Sequence, residues 1–171
     1  LTAYTIGYNI WIFSSFFIDG FSNAGNALAG KYLGANDTTN LRLLGDKLLK
    51  INLGISLMLG CIYLISYPFI GSLFNNDPEV IHFFKATFWI IIIAQPFNSI
   101  AFTFDGIFKG LGEAVFLRNT LIIGSLFVFT PLLLVLDYFD FKLTAIWLSM
   151  MGWMIFRGGS LYWKFKKISK N

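Results

Sequence analysis

Two carboxylates stand where the chain otherwise avoids charge. Asp19 and Asp105 each fall inside an apolar run long enough to cross a bilayer. On insertion scales a charged side chain there costs about 2.5–3.5 kcal/mol, and it normally faces a cavity or a partner. Such a carboxylate exchanges a proton or small cation with water, or it holds a polar group of a neighbouring helix. Asp105 and Asp19 are therefore the candidates for cation binding or coupling. The structural alternatives stay open. Asp105 has Lys109 four residues on, the spacing of a helical ion pair, and Asp19 suits an interhelical hydrogen bond, worth on average only ~0.6 kcal/mol in membranes.

The neighbours of both acids are polar at helical spacing. Stepping 100° per residue from Asn9 puts Ser15, Asp19, Ser22, Asn23, Asn26 and Gly30 within roughly a 140° arc. Phe13, Phe17, Phe21 and Leu28 fall on the opposite side as a lipid-facing stripe. Around Asp105, the residues Gln95, Asn98 and Lys109 share an arc of about 80°. Asn23, Asn26, Gln95 and Asn98 are the candidates for lining a polar cavity, the alternative being ordinary packing polars. Pro96 removes one intrahelical hydrogen bond and predicts a kink beside them. Gly20 with Ala24, and Gly25 with Ala29, offer small residues for close helix approach.

The elements that must position these residues follow from where charge is missing. With 56% hydrophobic and 13% charged residues in 171, the chain carries more apolar surface than a soluble domain of this size buries. Five windows nearly free of charge fit a bilayer's thickness, over about 3–30, 51–74, 88–108, 119–136 and 143–156, the last helix running over 143–162 before a tail at 163–171. Backbone pairing in lipid makes them helices. The expectation is an all-α, polytopic integral membrane protein. Asn36-Asp37-Thr38 reads as a helix N-cap, and Leu41, Leu44 and Leu48 then predict an interfacial helix leading into the second span. The chain opens at Leu1 with no signal-peptide pattern, so a fragment lacking upstream helices is expected.

Of the 13 Lys and Arg, all but Lys85 and Lys142 follow the first, third or fifth window. By the positive-inside rule that side, with the C-terminus, is cytoplasmic. Lys164 to Lys170 are expected against anionic headgroups, and Trp163, Tyr162, Tyr4 and Tyr8 in the interfacial aromatic belts. The positive charge is juxtamembrane rather than on a groove-binding face, which argues against nucleic acid. Arg157 belongs by this count to the basic stretch after the last span, leaving no Lys or Arg deep inside one. The lone Cys61 and the terminal His82 make no metal or disulfide set. No phosphate loop or nucleophile elbow is present, so no enzyme and no cofactor are expected.

The run Phe16-Phe17-Ile18-Asp19-Gly20-Phe21, then Leu28-Ala29-Gly30-Lys31-Tyr32-Leu33-Gly34-Ala35-Asn36-Asp37, resembles the multidrug and toxic compound extrusion (MATE) family, its DinF-like branch most of all. Gln95-Pro96-Phe97-Asn98, Phe104-Asp105-Gly106-Ile107 and Gly110-Leu111-Gly112 look like a later helix of the same family. The resemblance implies that residues 1–171 are most of the C-terminal six-helix lobe of a two-lobe transporter of the bacterial inner membrane. Its partners would be membrane lipids, small-molecule substrates and the N-terminal lobe. It implies export of drugs or other amphiphilic compounds by alternating access, driven by H+ or Na+, with Asp105 at the position of a carboxylate of the Na+ site. Phe102 and Phe104 offer cation–π surface to such compounds. The alternatives are a lipid-linked precursor flippase of the same superfamily, which would need a more basic cavity, and a non-transporting membrane scaffold.

Overall fold

The computed structural model describes Thr2–Ser169, and among those residues every regular element is helical. The helices are α1 (Thr2–Gly34), α2 (Thr38–Phe74), α3 (Pro78–Gly110), α4 (Ala114–Gly124), α5 (Thr130–Tyr138) and α6 (Leu143–Ile168), with one π-helical turn, Ser125–Phe129, joining α4 to α5. Counting α4 to α5 as one rod gives the five expected. By length and apolarity alone, three of these are fit to cross a bilayer: α2, α3 and the Ala114–Tyr138 rod. α1 and α6 are long enough, at 33 and 26 residues, but more polar. Lys170, counted with the basic tail, lies outside the described residues.

α2 departs from expectation by having no break before its span. Asp37 is its N-cap, accepting the Asn40 backbone N–H at 2.9 Å, and the helix runs 37 residues without interruption. Leu41, Leu44 and Leu48 are buried, and Asn52, Ser56, Leu59 and Tyr63 continue the same buried face in phase. With that face unbroken, there is nothing to end the helix at the membrane surface.

α3 is the hub, packing against α1, α2 and α6. Its approach to α1 depends on Gly106 and Gly110, four residues apart, where a Cβ would run into the carbonyl oxygens of Ser22 and Asn26. This is the small-xxx-small device of membrane helix pairs. On α1, Gly25 and Ala29 are buried as expected, whereas Gly20 meets nothing within 4 Å and Ala24 is exposed. That first pair of small residues therefore joins no helices here.

Pro96 lies inside the continuous α3; its missing N–H frees the carbonyl of Ile92, which faces Gly60 of α2. The backbone ladder also changes before Pro131. There both the N–H and the hydroxyl of Thr130 reach the carbonyl of Ser125, five residues back.

Two apolar clusters fill the bundle. One, at the end holding Ala3 and Ile70, includes Phe84, Phe88 and Trp147. The other, at the basic end, includes Leu48, Phe104, Phe108 and Phe165. Ion pairs close the basic end: Lys164 to Glu113 at 2.7 Å and Lys166 to Asp46 at 2.9 Å. These two lysines are thus engaged by protein carboxylates rather than left for headgroups alone.

Candidate functional site

Between the two clusters α1, α2 and α3 contribute a layer of buried polar side chains. Ser14 Oγ and Tyr63 Oη share a hydrogen bond of 2.6 Å, and the Gln95 amide donates to Ser14 at 3.3 Å. Nearer the basic end, Asn52 Nδ2 donates to Thr103 Oγ1 at 2.6 Å and, at 3.4 Å, to Ser22 Oγ. The carbonyl oxygens of Asn52, Gln95 and Asn98 are buried with no partner among the described residues. Gln95 and Asn98 are thus core residues. Asn98 borders a small cavity of about 10 Å³, beside Trp11 and Trp147.

Asp105 lies at the lower edge of this layer and is held by two cations. Arg157 Nη2 donates to its Oδ1 at 2.6 Å, and Lys109 Nζ stands 2.9 Å from its Oδ2. Asp105 and Arg157 are 7% and 8% exposed, while the Lys109 side chain is 56% exposed. The helical ion pair suggested by the spacing is present, and a second, buried one accompanies it. Arg157 also sits over the Trp153 ring, 5.5 Å from its centroid. It is no tail residue: it lies inside α6, buried, with eleven further residues of helix after it. The expectation that no Lys or Arg enters a span is corrected here. Leu161 and Phe165, four and eight residues on and fully buried, are the sequence signal that the packed face continues past Arg157.

Asp19 differs. It is half-buried on α1 and makes no hydrogen bond or ion pair with the described residues, although it feels the charges of Lys109, Asp105 and Arg157. The polar arc around it divides. Ser15 and Ser22 turn inward and bond to carbonyls of their own helix, at Ile12 and Ile18. Asn9 and Asn23 are exposed, on a side of α1 that no other described helix covers, and Asn26 is half-buried at its edge with its backbone against Gly110 of α3. Phe104 is buried against Tyr162 and Phe165, which removes it as a surface for ligands, and Phe102 stays half-buried.

The comparisons agree with this architecture. The MatE family model matches residues 1–136. Protein DETOXIFICATION 42 of Arabidopsis thaliana is 21% identical over 164 residues, covering 96% of this chain and 32% of the relative. Protein DETOXIFICATION 45, chloroplastic, of the same plant is 26% identical over 113 residues, covering 66% of this chain and 20% of the relative. The chain thus spans a third or less of the length of these curated relatives. A crystal structure of a mutant of the Vibrio cholerae MATE transporter VcmN superposes with a TM-score of 0.86 at 16% identity, covering 98% of this chain and 38% of that one, and its fold is the same. The chain belongs to the MatE family and is a multi-pass membrane protein.

Proposed function

We propose that this chain is part of an antiporter that exports amphiphilic organic compounds against H+ or Na+ by alternating access, with Asp19 as the carboxylate that exchanges the coupling ion. The observation that carries this reading is the state of Asp19: half-buried, without a hydrogen-bond or ion-pair partner among the described residues, on the uncovered polar side of α1. An unpaired carboxylate is free to take a proton or a cation. Asp105 has a cation against each oxygen, so a Na+ ion there would meet the positive charges of Lys109 and Arg157. Asp105 then serves to set the field around Asp19. The cluster Asp105, Lys109 and Arg157 carries one net positive charge, which the ionised Asp19 balances.

Alternating access requires that ion and substrate favour different states, since a ligand shifts an equilibrium only by its differential affinity. Neutralising Asp19 removes the counter-charge to Lys109 and Arg157 and thereby biases the helices that carry them. The polar side of α1, with Asn23 and Asn26, is where the N-terminal lobe and the water-filled cleft between lobes would lie. The same reading puts the protein in the cytoplasmic membrane of a bacterium, basic end inward. A lipid-linked precursor flippase gains a basic residue inside the bundle from Arg157, but Asp105 neutralises it.

The test is ethidium efflux from energised vesicles carrying the full-length protein, with the H+ and Na+ gradients collapsed in turn. Loss of efflux with one gradient is expected and names the ion. Efflux absent under every gradient would leave the flippase or a scaffold.

A further inference from the structure

Where α1, α3 and α6 meet, two buried polar groups line one small cavity. Its walls include Trp11 of α1, Ala94 and Asn98 of α3, and Trp147, Met150 and Met154 of α6. Trp147 and Asn98 are each only 3% exposed. The Trp147 indole N–H and the Asn98 side-chain carbonyl both lack a hydrogen-bond partner among the described residues. One is a donor only and the other an acceptor, yet no direct bond joins them. Burying such groups unmatched is costly, and folded proteins match them with protein groups or with ordered water.

The cavity measures about 10 Å³, close to the roughly 10–15 Å³ that a single water molecule requires. We infer that it is a binding site for one structural water, which accepts from Trp147 Nε1–H and donates to Asn98 Oδ1. The thioethers of Met150 and Met154 are weak acceptors for its second hydrogen. Water fits the chemistry of the walls where other occupants do not. An apolar group would leave the donor and the acceptor unmatched, and a cation would meet the indole N–H, which has no lone pair to offer. The bridge ties α6 to α3 at a ring that α1 also holds. A Cβ at Gly7 of α1 would run into the Trp147 indole and Ile91, and the Tyr4 ring lies 5.6 Å from that of Trp147. Fixing the N–H through the water therefore fixes a ring wedged among three helices. Asn98 is then a water ligand, whatever compound or ion the protein moves.

The test is a crystal structure of the full-length transporter at a resolution that shows ordered water. One water within about 2.7–3.2 Å of both Trp147 Nε1 and Asn98 Oδ1 is expected. A direct bond between the two side chains, or a dry cavity with both groups unmatched, would overturn the site. Ultraviolet resonance Raman spectra of the same protein give a second reading, because the indole mode sensitive to N–H bonding is isolated for this ring as wild type minus Trp147→Phe. The band is expected at the hydrogen-bonded position in the wild type and at the free position in Asn98→Leu, whose side chain fills the cavity and offers no acceptor. Ser149→Ala, which removes a buried α6 hydroxyl bonded to its own helix at Ala145, should leave the band where it is. A free indole in the wild type, or an unchanged bonded band in monodisperse Asn98→Leu, would equally remove the water.

Discussion

Phe17-Ile18-Asp19-Gly20 on α1 and Phe104-Asp105-Gly106 on α3 share an Asp-Gly step shortly after a phenylalanine, yet their surroundings are opposite. Gly106 lies against the backbone of Ser22, whereas Gly20 meets nothing within 4 Å. Asp105 is buried between two cations, and Asp19 has none in contact. The difference comes from α6, which brings Arg157 over Asp105 and leaves α1's polar side uncovered. The same Asp-Gly step makes a structural ion cluster where a third helix covers it and a half-buried acid without a partner among the described residues where none does. α3 is fixed by its contacts. α1 keeps one side free.

The contrast can be broken most severely at Arg157. Arg157→Ala strands a buried carboxylate with only the exposed Lys109 beside it, and a loss of about 3–5 kcal/mol in the full-length protein's unfolding free energy is expected. Asp105→Leu combined with Arg157→Leu should recover most of that, because an apolar pair of similar volume replaces a buried ion pair at little cost. A double variant as unstable as the single one would show that the pair does more than neutralise itself.

The two glycines sharpen the comparison next. Gly106→Ala forces α1 and α3 apart and should cost about 1–3 kcal/mol. Gly20→Ala, in open space, should raise stability by roughly 0.5–1 kcal/mol. Thermal unfolding of the two variants side by side checks the signs, and equal losses would contradict the packing described. Asp37→Ala should give the smallest effect, a slight fall in melting temperature, with Asp37→Asn close to wild type because both residues cap well. The Asn40 backbone and side-chain amides hold Asp37 below the usual carboxylate range. Its stabilisation is therefore fully present above the unfolded value and fades only as pH falls through the lowered one, which an unfolding series from pH 7 to pH 3 would show.

Much of this could be read from residue order. The windows nearly free of charge locate all five rods, and Asp37 caps α2 as its Asn-Asp-Thr context predicts. The continuity of α2 was also visible, since Leu41, Leu44 and Leu48 run in phase with Asn52, Ser56 and Leu59. Counting charges by loop hid it, because a basic stretch reads as a boundary even when its apolar face continues. Arg157 was lost for the same reason. Its pairing with Asp105 spans 52 residues and leaves no local signature, although Leu161 and Phe165 mark the helix as packed beyond it. A helical arc of polar residues likewise cannot separate Ser22, which bonds to its own backbone, from Asn23 beside it, which faces outward. That division depends on which neighbour covers which side. Gly106 and Gly110, by contrast, carry their close-approach spacing openly.

The most direct test of the account compares Asp19→Asn with Asp105→Asn in the full-length protein, reconstituted in liposomes and assayed for ethidium movement with and without an imposed H+ or Na+ gradient. Asp19→Asn is predicted to fold as the wild type and to lose the gradient-driven component while retaining exchange without a gradient. Asp105→Asn is predicted to lower stability and keep coupling in whatever fraction folds. Full gradient-driven transport by Asp19→Asn, with coupling lost only in a folded Asp105→Asn, would contradict it.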